Sequence, residues 1–253
     1  MTAMVTAMVT AMGKYELTTV PLKKGAFEKP ERTNPNIPPK KYDRVEAACE
    51  SAEIGNDGNA YIPEDSMPGV IGKRKNETRY IVDHRIKDED KVNINNRRML
   101  NTAGVVDYLH RNSQQTRNVE EADLNRYGRD ILISISDSDQ AEAQRRKTDA
   151  FVNRELPKLR EKRGTDVDEI TGEPLGPGAA FHHINNKAIN NNPLDVIDPD
   201  QGINVNVETH REIHSRGIMD SAELDRQKED IRETLRDKNR RNNRLQAALD
   251  KKR

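Results

Sequence analysis

Charged residues make up 34% of this 253-residue chain and apolar residues 33%. That near-equality constrains the fold more than any motif does. An average soluble domain is closer to half apolar, and a mean hydropathy of −0.99 leaves material for small cores only. Apolar runs are short, Ile131-Leu132-Ile133 being typical, so no segment reads as a membrane-spanning helix. The charges balance, 43 basic against 43 acidic, which excludes a uniformly basic coat for nucleic acid but allows a local basic patch. Tryptophan is absent, and six tyrosines with three phenylalanines supply too few aromatic faces for a single-strand stacking platform. The lone Cys49 excludes an internal disulfide and a cysteine-rich zinc ribbon. With no positively charged n-region ahead of an apolar core, the expectation is a cytoplasmic protein in a reducing compartment.

The chain then divides by texture. Residues 1–12 repeat Thr-Ala-Met-Val, and residues 13–42 carry Pro21, Pro30, Pro35, Pro38 and Pro39 among charges. Proline fixes φ and removes a donor, so residues 1–42 read as a low-complexity, Pro-rich, disordered arm. Residues 43–136 read as a mixed, loop-rich accessory region. It has a helix from Val45 to Ala52, strand composition at Tyr80-Ile81-Val82 and from Asp130 to Ile135, and helical spacing over Asn96–Arg111. A basic helix spans 137–163, capped at Ser138 or Asp139 and broken near Pro157. Gly164 and Thr165 mark a boundary. Turns follow, then a short strand Ala179–Ile184, an Asn-rich loop, a second strand Ile203–Val207 with period two, and a helix from Thr209 to about Arg216. The last helix starts at Asp220 with Glu223 at capping-box spacing.

Four of the six histidines fall in this C-terminal part. His210 and His214 stand at i and i+4 in Thr209-His-Arg-Glu-Ile-His214, a spacing that puts both rings on one helical face. Two imidazoles so placed can share a divalent transition metal. His182 and His183 are adjacent in a strand and diverge to opposite faces. One can complete a metal shell while the other is left for chemistry.

A strand with a histidine pair, a loop, a strand with asparagine and a helix with an i, i+4 histidine pair together resemble the HNH, or ββα-metal, nuclease family, in particular its colicin-DNase-like branch. The resemblance covers about residues 168–219. The chain departs from the common family pattern in having His182 where many members have Asp, and in lacking the two Cys-x-x-Cys pairs that brace many members. The resemblance implies an α+β fold with a C-terminal ββα-metal module over 164–219, flanked by helices and preceded by the mixed region. It implies a metal-dependent endonuclease that hydrolyses phosphodiester bonds, most often in double-stranded DNA. By the same resemblance His183 is the general base, and Asn204 (or Asn206) helps to position it across the hairpin. His182, His210 and His214 would hold one divalent metal ion: Zn, Ni, Mn or Mg. Phage, mobile-element and toxin proteins share this motif. A reading from another class stays open, a non-catalytic metal-stabilised nucleic-acid-binding or assembly protein.

Two further features bear on function. Tyr80-Ile81-Val82-Asp83-His84 resembles a second HNH first strand. His110 follows His84 by 26 positions much as His210 follows His183 by 27, but Gln114 stands where a second helical ligand would be needed, so His84 is not expected to be catalytic. In the last helix, Leu224, Ile231, Leu235, Leu245 and Leu249 form a seam interrupted by Lys228, Lys238 and Asn242, which allows a homodimer through residues 220–253. Arg211 or a basic residue of the 145–163 helix is an expected phosphate contact, no spacing selecting one, and Arg240, Arg241 and Arg244 of the basic tail could neutralise further phosphates.

Overall fold

Among the described residues the buried apolar side chains gather into four clusters, two in each of two compact units. The computed structural model describes residues 16–184 and 194–250. The architecture is mixed α+β with small antiparallel sheets. The repetitive leader and the Asn-rich stretch 185–193 lie outside the described residues. Two compact units divide at Asp149/Ala150, inside a helix rather than at Gly164-Thr165.

The first unit is built on a five-stranded antiparallel sheet. Its strands are β1 (Thr19–Pro21), β2 (Glu53–Gly55), β3 (Ala60–Pro63), β4 (Lys91–Ile94) and β5 (Arg97–Asn101), in the order β1-β2-β3-β5-β4. Helices α1 (Pro39–Cys49), α2 (Met67–Ile71), α3 (Lys75–Arg85), α4 (Thr102–Gln115) and α5 (Val119–Ser136) complete it, with α6 (Asp139–Glu155) starting in this unit. Its core includes Val45, Cys49, Ile54, Ile62, Leu100, Leu109, Ile131, Leu132 and Ile135, all buried.

Four sequence expectations change here. Tyr80-Ile81-Val82 and Asp130–Ile135 are helical, in α3 and α5. Thr78 and Val82, one turn apart on α3, are buried while Tyr80 is 61% exposed, and Ile131, Leu132 and Ile135 are buried while Ile133 is 41% exposed. That is a helical period, and tertiary burial overrides β propensity. Over Asn96–Arg111 a strand comes first. Asn95 and Asn96 both take positive φ, 51° and 60°, turning β4 into β5 as the tight hairpin that two such residues favour. Asn101 then caps α4 by accepting from the Ala103 N–H at 2.9 Å. Residues 16–42 are held rather than disordered. β1 pairs with β2, the Lys23 N–H donates to Gln140 Oε1 at 2.8 Å, and the Ser134 hydroxyl donates to the Glu28 carbonyl at 2.8 Å.

The anchor of this arm is Glu46 on α1. Its carboxylate accepts from Lys29 at 2.8 Å, from both Nε and Nη2 of Arg32, and from the Tyr127 hydroxyl at 2.5 Å. Burial on its own pushes the carboxyl up. The bonds donated by Lys29, Tyr127 and Arg32 outweigh it and hold Glu46 at about 2.

The second unit holds a two-stranded antiparallel hairpin, β6 (Ala180–His183) and β7 (Gly202–Val205), with α7 (Leu159–Arg163), α8 (Val207–Ser215) and α9 (Ser221–Asp250). Pro157 sits in a 3₁₀ turn between α6 and α7, the break its ring imposes. One face of the hairpin packs Ile203 and Val205 with Ile170, Ile213, Leu224, Ile231 and Leu235. Leu159, Leu194 and Ile197 form a second cluster, with Phe151, Leu156 and Phe181 packed against it. At the start of α9 the Glu223 N–H donates to Asp220 Oδ1 at 2.8 Å, while the Glu223 carboxylate accepts from the Met219 N–H. This is a capping box displaced by one residue on its return bond. Only the first half of the expected α9 seam is used: Leu224, Ile231 and Leu235 are buried, Leu245 and Leu249 are 64% and 60% exposed.

Glu46→Gln should destabilise the protein by about 2 kcal/mol at neutral pH, the worth of hydrogen bonds to a charged group. A carboxyl held below its ordinary value stabilises the fold fully above about 4.5 and loses that contribution as the pH falls toward about 2. Urea unfolding at pH 7 and near pH 2.5 should therefore show a large difference between wild type and variant in the first case and a small one in the second.

Candidate metal centre

His182, His210 and His214 come together because β6 and α8 face each other across the hairpin's apolar side. In β6, successive side chains alternate. His182, opposite Ile203 in the register, lies on the side of Ile203 and Val205 and is 7% exposed. Its ring centre is 5.2 Å from that of His210 and 5.3 Å from that of His214. On α8 the two helical histidines stand one turn apart, Nε2 to Nε2 at 3.3 Å. One ligand nitrogen from each of the three lies within 4.8 Å of the others, close enough to bind a metal ion. Among the described residues this is the one such group of His, Cys, Asp or Glu.

The donor set fits a metal on two physical grounds. Metal–nitrogen bonds of about 2.0–2.1 Å at tetrahedral angles place two nitrogens about 3.3 Å apart, which matches the His210–His214 separation. Burial first, then the neighbouring imidazoles His210, His214 and His183, lower His182 to about 4, and burial followed by His214 lowers His210. Neutral imidazoles are the ligating form.

A residue the sequence reading missed sets this geometry. Asp168 is fully buried. Its Oδ1 accepts from the Ile170 and Thr171 N–H groups at 2.9 and 2.8 Å, and its Oδ2 accepts from the Asn206 N–H at 2.7 Å, at the entry to α8. The legible signal was Asp168-Glu-Ile-Thr-Gly172, an aspartate that bonds its own turn two and three residues on. Asn206 extends the tie: its Oδ1 accepts from the Gly176 N–H at 2.8 Å, and its Nδ2 donates to the Pro174 carbonyl at 3.1 Å. On the far side of α8, Glu212 pairs with Lys238 and with Arg216, and Arg216 donates to Thr234 of α9 at 2.9 Å. The Lys238 bond keeps Glu212 below the ordinary carboxylate range against the opposing effect of burial.

His183 points the other way, with Phe181, whose ring centre lies 4.9 Å from its own. Its Nε2 is 2.7 Å from the Val196 carbonyl oxygen. A carbonyl only accepts, so Nε2 carries a hydrogen and donates it. Gly202, opposite His183 in the register, leaves room for this face: a Cβ there would come within 2.3 Å of the Phe181 ring. His183 lines a cavity of about 360 Å³ together with Leu156, Pro157, Arg160, Glu161 and Phe181.

Asn204 has a different role from the expected one of positioning His183. Its amide does not reach His183. Buried opposite Phe181, it donates from Nδ2 to the Arg160 carbonyl at 2.9 Å and to Thr165 Oγ1 at 3.0 Å, so it ties β7 to α7. Its Oδ1 has no partner among the described residues. Arg211, Arg240, Arg241 and Arg244 are exposed on α8 and α9, away from the cavity lining. The upstream motif is not assembled as a strand. Asp83 and His84 sit on α3, where Asp83 pairs with Arg98 at 2.9 Å and the His84 ring lies 4.5 Å from that of Tyr80, while His110 Nδ1 faces Arg129 at 3.2 Å.

Replacing His210 or His214 by alanine should lower Zn²⁺ or Ni²⁺ affinity by more than about a hundredfold, since loss of a mere supporting contact to a ligand costs about 10–100-fold. Isothermal titration of the two single variants checks this, and unchanged affinity in both would remove the metal assignment.

No helix is long and apolar enough to cross a membrane among the described residues. Comparison with protein-family models, with curated proteins and with solved structures finds no match to this chain.

Proposed function

We propose that the protein is a metal-dependent endonuclease that hydrolyses phosphodiester bonds in nucleic acid, with DNA the first substrate to test. The observation that carries the proposal is the division of labour in β6. His182 joins His210 and His214 on one face, and His183 lies on the other, oriented by the Val196 carbonyl beside a cavity. This is the arrangement implied by the resemblance of residues 168–219 to ββα-metal nucleases, and it supports reading β6, β7 and α8 as such a module.

His182, His210 and His214 would hold the ion, and an all-imidazole set favours Zn²⁺ or Ni²⁺ over Mg²⁺. When bound, a divalent ion supplies positive charge that stabilises the phosphate and the departing oxygen. The protein's own groups do the rest. The Val196 carbonyl fixes the His183 ring and its tautomer. Nδ1 takes a proton from the attacking water as its oxygen bonds to phosphorus. The P–O bond to the leaving sugar oxygen breaks with its electron pair staying on that oxygen, which takes a proton from solvent, giving a phosphomonoester and an alcohol. The exposed basic residues of α9, Arg240, Arg241 and Arg244 with Arg211 of α8, add affinity that is independent of sequence and weakens with salt.

His183→Ala should reduce nicking of supercoiled plasmid by about 10²–10⁴-fold, the usual contribution of a positioned base, while Zn²⁺ affinity is retained. A wild-type chain that binds Zn²⁺ yet nicks no substrate with any divalent metal would favour the non-catalytic, metal-stabilised binding or assembly protein.

A further inference from the structure

Among the described residues that line the cavity beside His183, Arg160 is the one cationic side chain, and the chain holds it from two sides. Arg160 of α7 donates from Nη1 to the Ala179 carbonyl at 3.0 Å, just ahead of β6. Its own backbone carbonyl accepts the buried Asn204 amide at 2.9 Å. The guanidinium is thus tied at one nitrogen to the chain entering the His183 strand, and its backbone to β7. It lines the same cavity of about 360 Å³ as His183. Arginine presents its donors as a planar fork that matches two oxygens of a phosphate, so one nitrogen can stay on Ala179 while the rest of the fork meets an oxyanion.

Resting on the nuclease reading above, we propose that Arg160 is the phosphate-contacting residue of this site. It binds the non-bridging oxygens of the phosphodiester whose attacking water faces His183. This is a role that Arg211, Arg240, Arg241 and Arg244, exposed on α8 and α9, do not fill at the cavity. Asn204 then has a different use from the one its position suggested: it fixes the helix that carries the cation. The cavity also carries Glu161, a carboxylate that opposes a second phosphate and restricts the pocket to one anionic group at Arg160.

The experiment uses the full chain and two readouts. The first is cleavage of supercoiled plasmid by wild type, Arg160→Gln and Arg160→Lys. The second is affinity of the chelator-treated proteins for a short DNA duplex across a salt series, with thermal melting as the control for folding. Loss of the contact should lower kcat/KM by about a hundredfold in Arg160→Gln, with partial recovery in Arg160→Lys, which keeps the charge but not the fork. The slope of log affinity against log salt should fall by about 0.9 in Arg160→Gln, one phosphate contact, and stay at the wild-type value in Arg160→Lys. A purely structural role would move the melting temperature and leave that slope alone. Wild-type cleavage with an unchanged Arg160→Gln would overturn the assignment while leaving the nuclease reading intact. A wild-type chain that neither cleaves nor binds duplex would overturn both.

Discussion

The geometry of the three histidines depends on a buried negative charge, Asp168. A carboxylate taken out of water is costly unless donors replace its hydration, and three backbone N–H groups do so, from Ile170, Thr171 and Asn206. Two of them belong to the turn ahead of the hairpin and the third to the residue from which α8 departs. The positive end of a helix favours such a carboxylate at its start. One side chain therefore closes the turn and sets where α8 begins, and that start fixes which face of α8 is offered to β6. His210 and His214 reach His182 only in that rotation and register. Ile213 on the buried face and the Glu212–Lys238 and Arg216–Thr234 contacts to α9 secure the helix from behind.

From there the two-residue repeat of a β-strand does the sorting. His182 and His183 are covalent neighbours, yet they serve opposite surfaces of a hairpin only two strands wide. On one side Ile203 and Val205 lead into the cluster beneath α8 and α9. On the other, Phe181 and Asn204 lead to α7. A register slip of one residue would exchange the two histidines and send His183 toward the helical pair. Gly202 guards against crowding at that point, because any side chain there would strike the Phe181 ring.

The C-terminal unit was largely legible in the sequence, for reasons visible in its residues. The i, i+4 histidines, the alternating Ile203-Asn204-Val205 segment and Gly217 after α8 each carry a local signal with one structural meaning, although the alternation runs on to Val207, which opens α8 instead of extending the strand. What was missed there is tertiary. No spacing links Asp168 to Asn206 or Asn204 to Arg160, because those pairs are 38 and 44 positions apart. In the first unit the failures were of another kind. Short apolar runs such as Tyr80-Ile81-Val82 fit a strand or one buried turn of a helix equally well, and only the neighbours decide. The Asn95-Asn96 hairpin was hidden because β4 alternates over only four residues, Lys91-Val92-Asn93-Ile94, and β5, Arg-Arg-Met-Leu-Asn, does not alternate at all. The Pro-rich arm looked unable to bury enough to order itself, but its order comes from Glu46, a partner donated by α1.

α9 is a helix of two thermodynamic kinds. Up to Leu235 it is part of a core and is lost only when that core is lost. From Arg236 to Asp250 every residue is exposed, and beyond Lys238, which still pairs with Glu212 of α8, the helix is held by its own backbone ladder and side-chain pairs such as Gln246 with Asp250. Such a stretch obeys helix–coil statistics, in which turns are shed from the open end one by one. The folded first half supplies the costly nucleus, so the second half has only to propagate from it. Its length at any temperature is then an average rather than a fixed number, set by the balance between adding a residue at the end and releasing one.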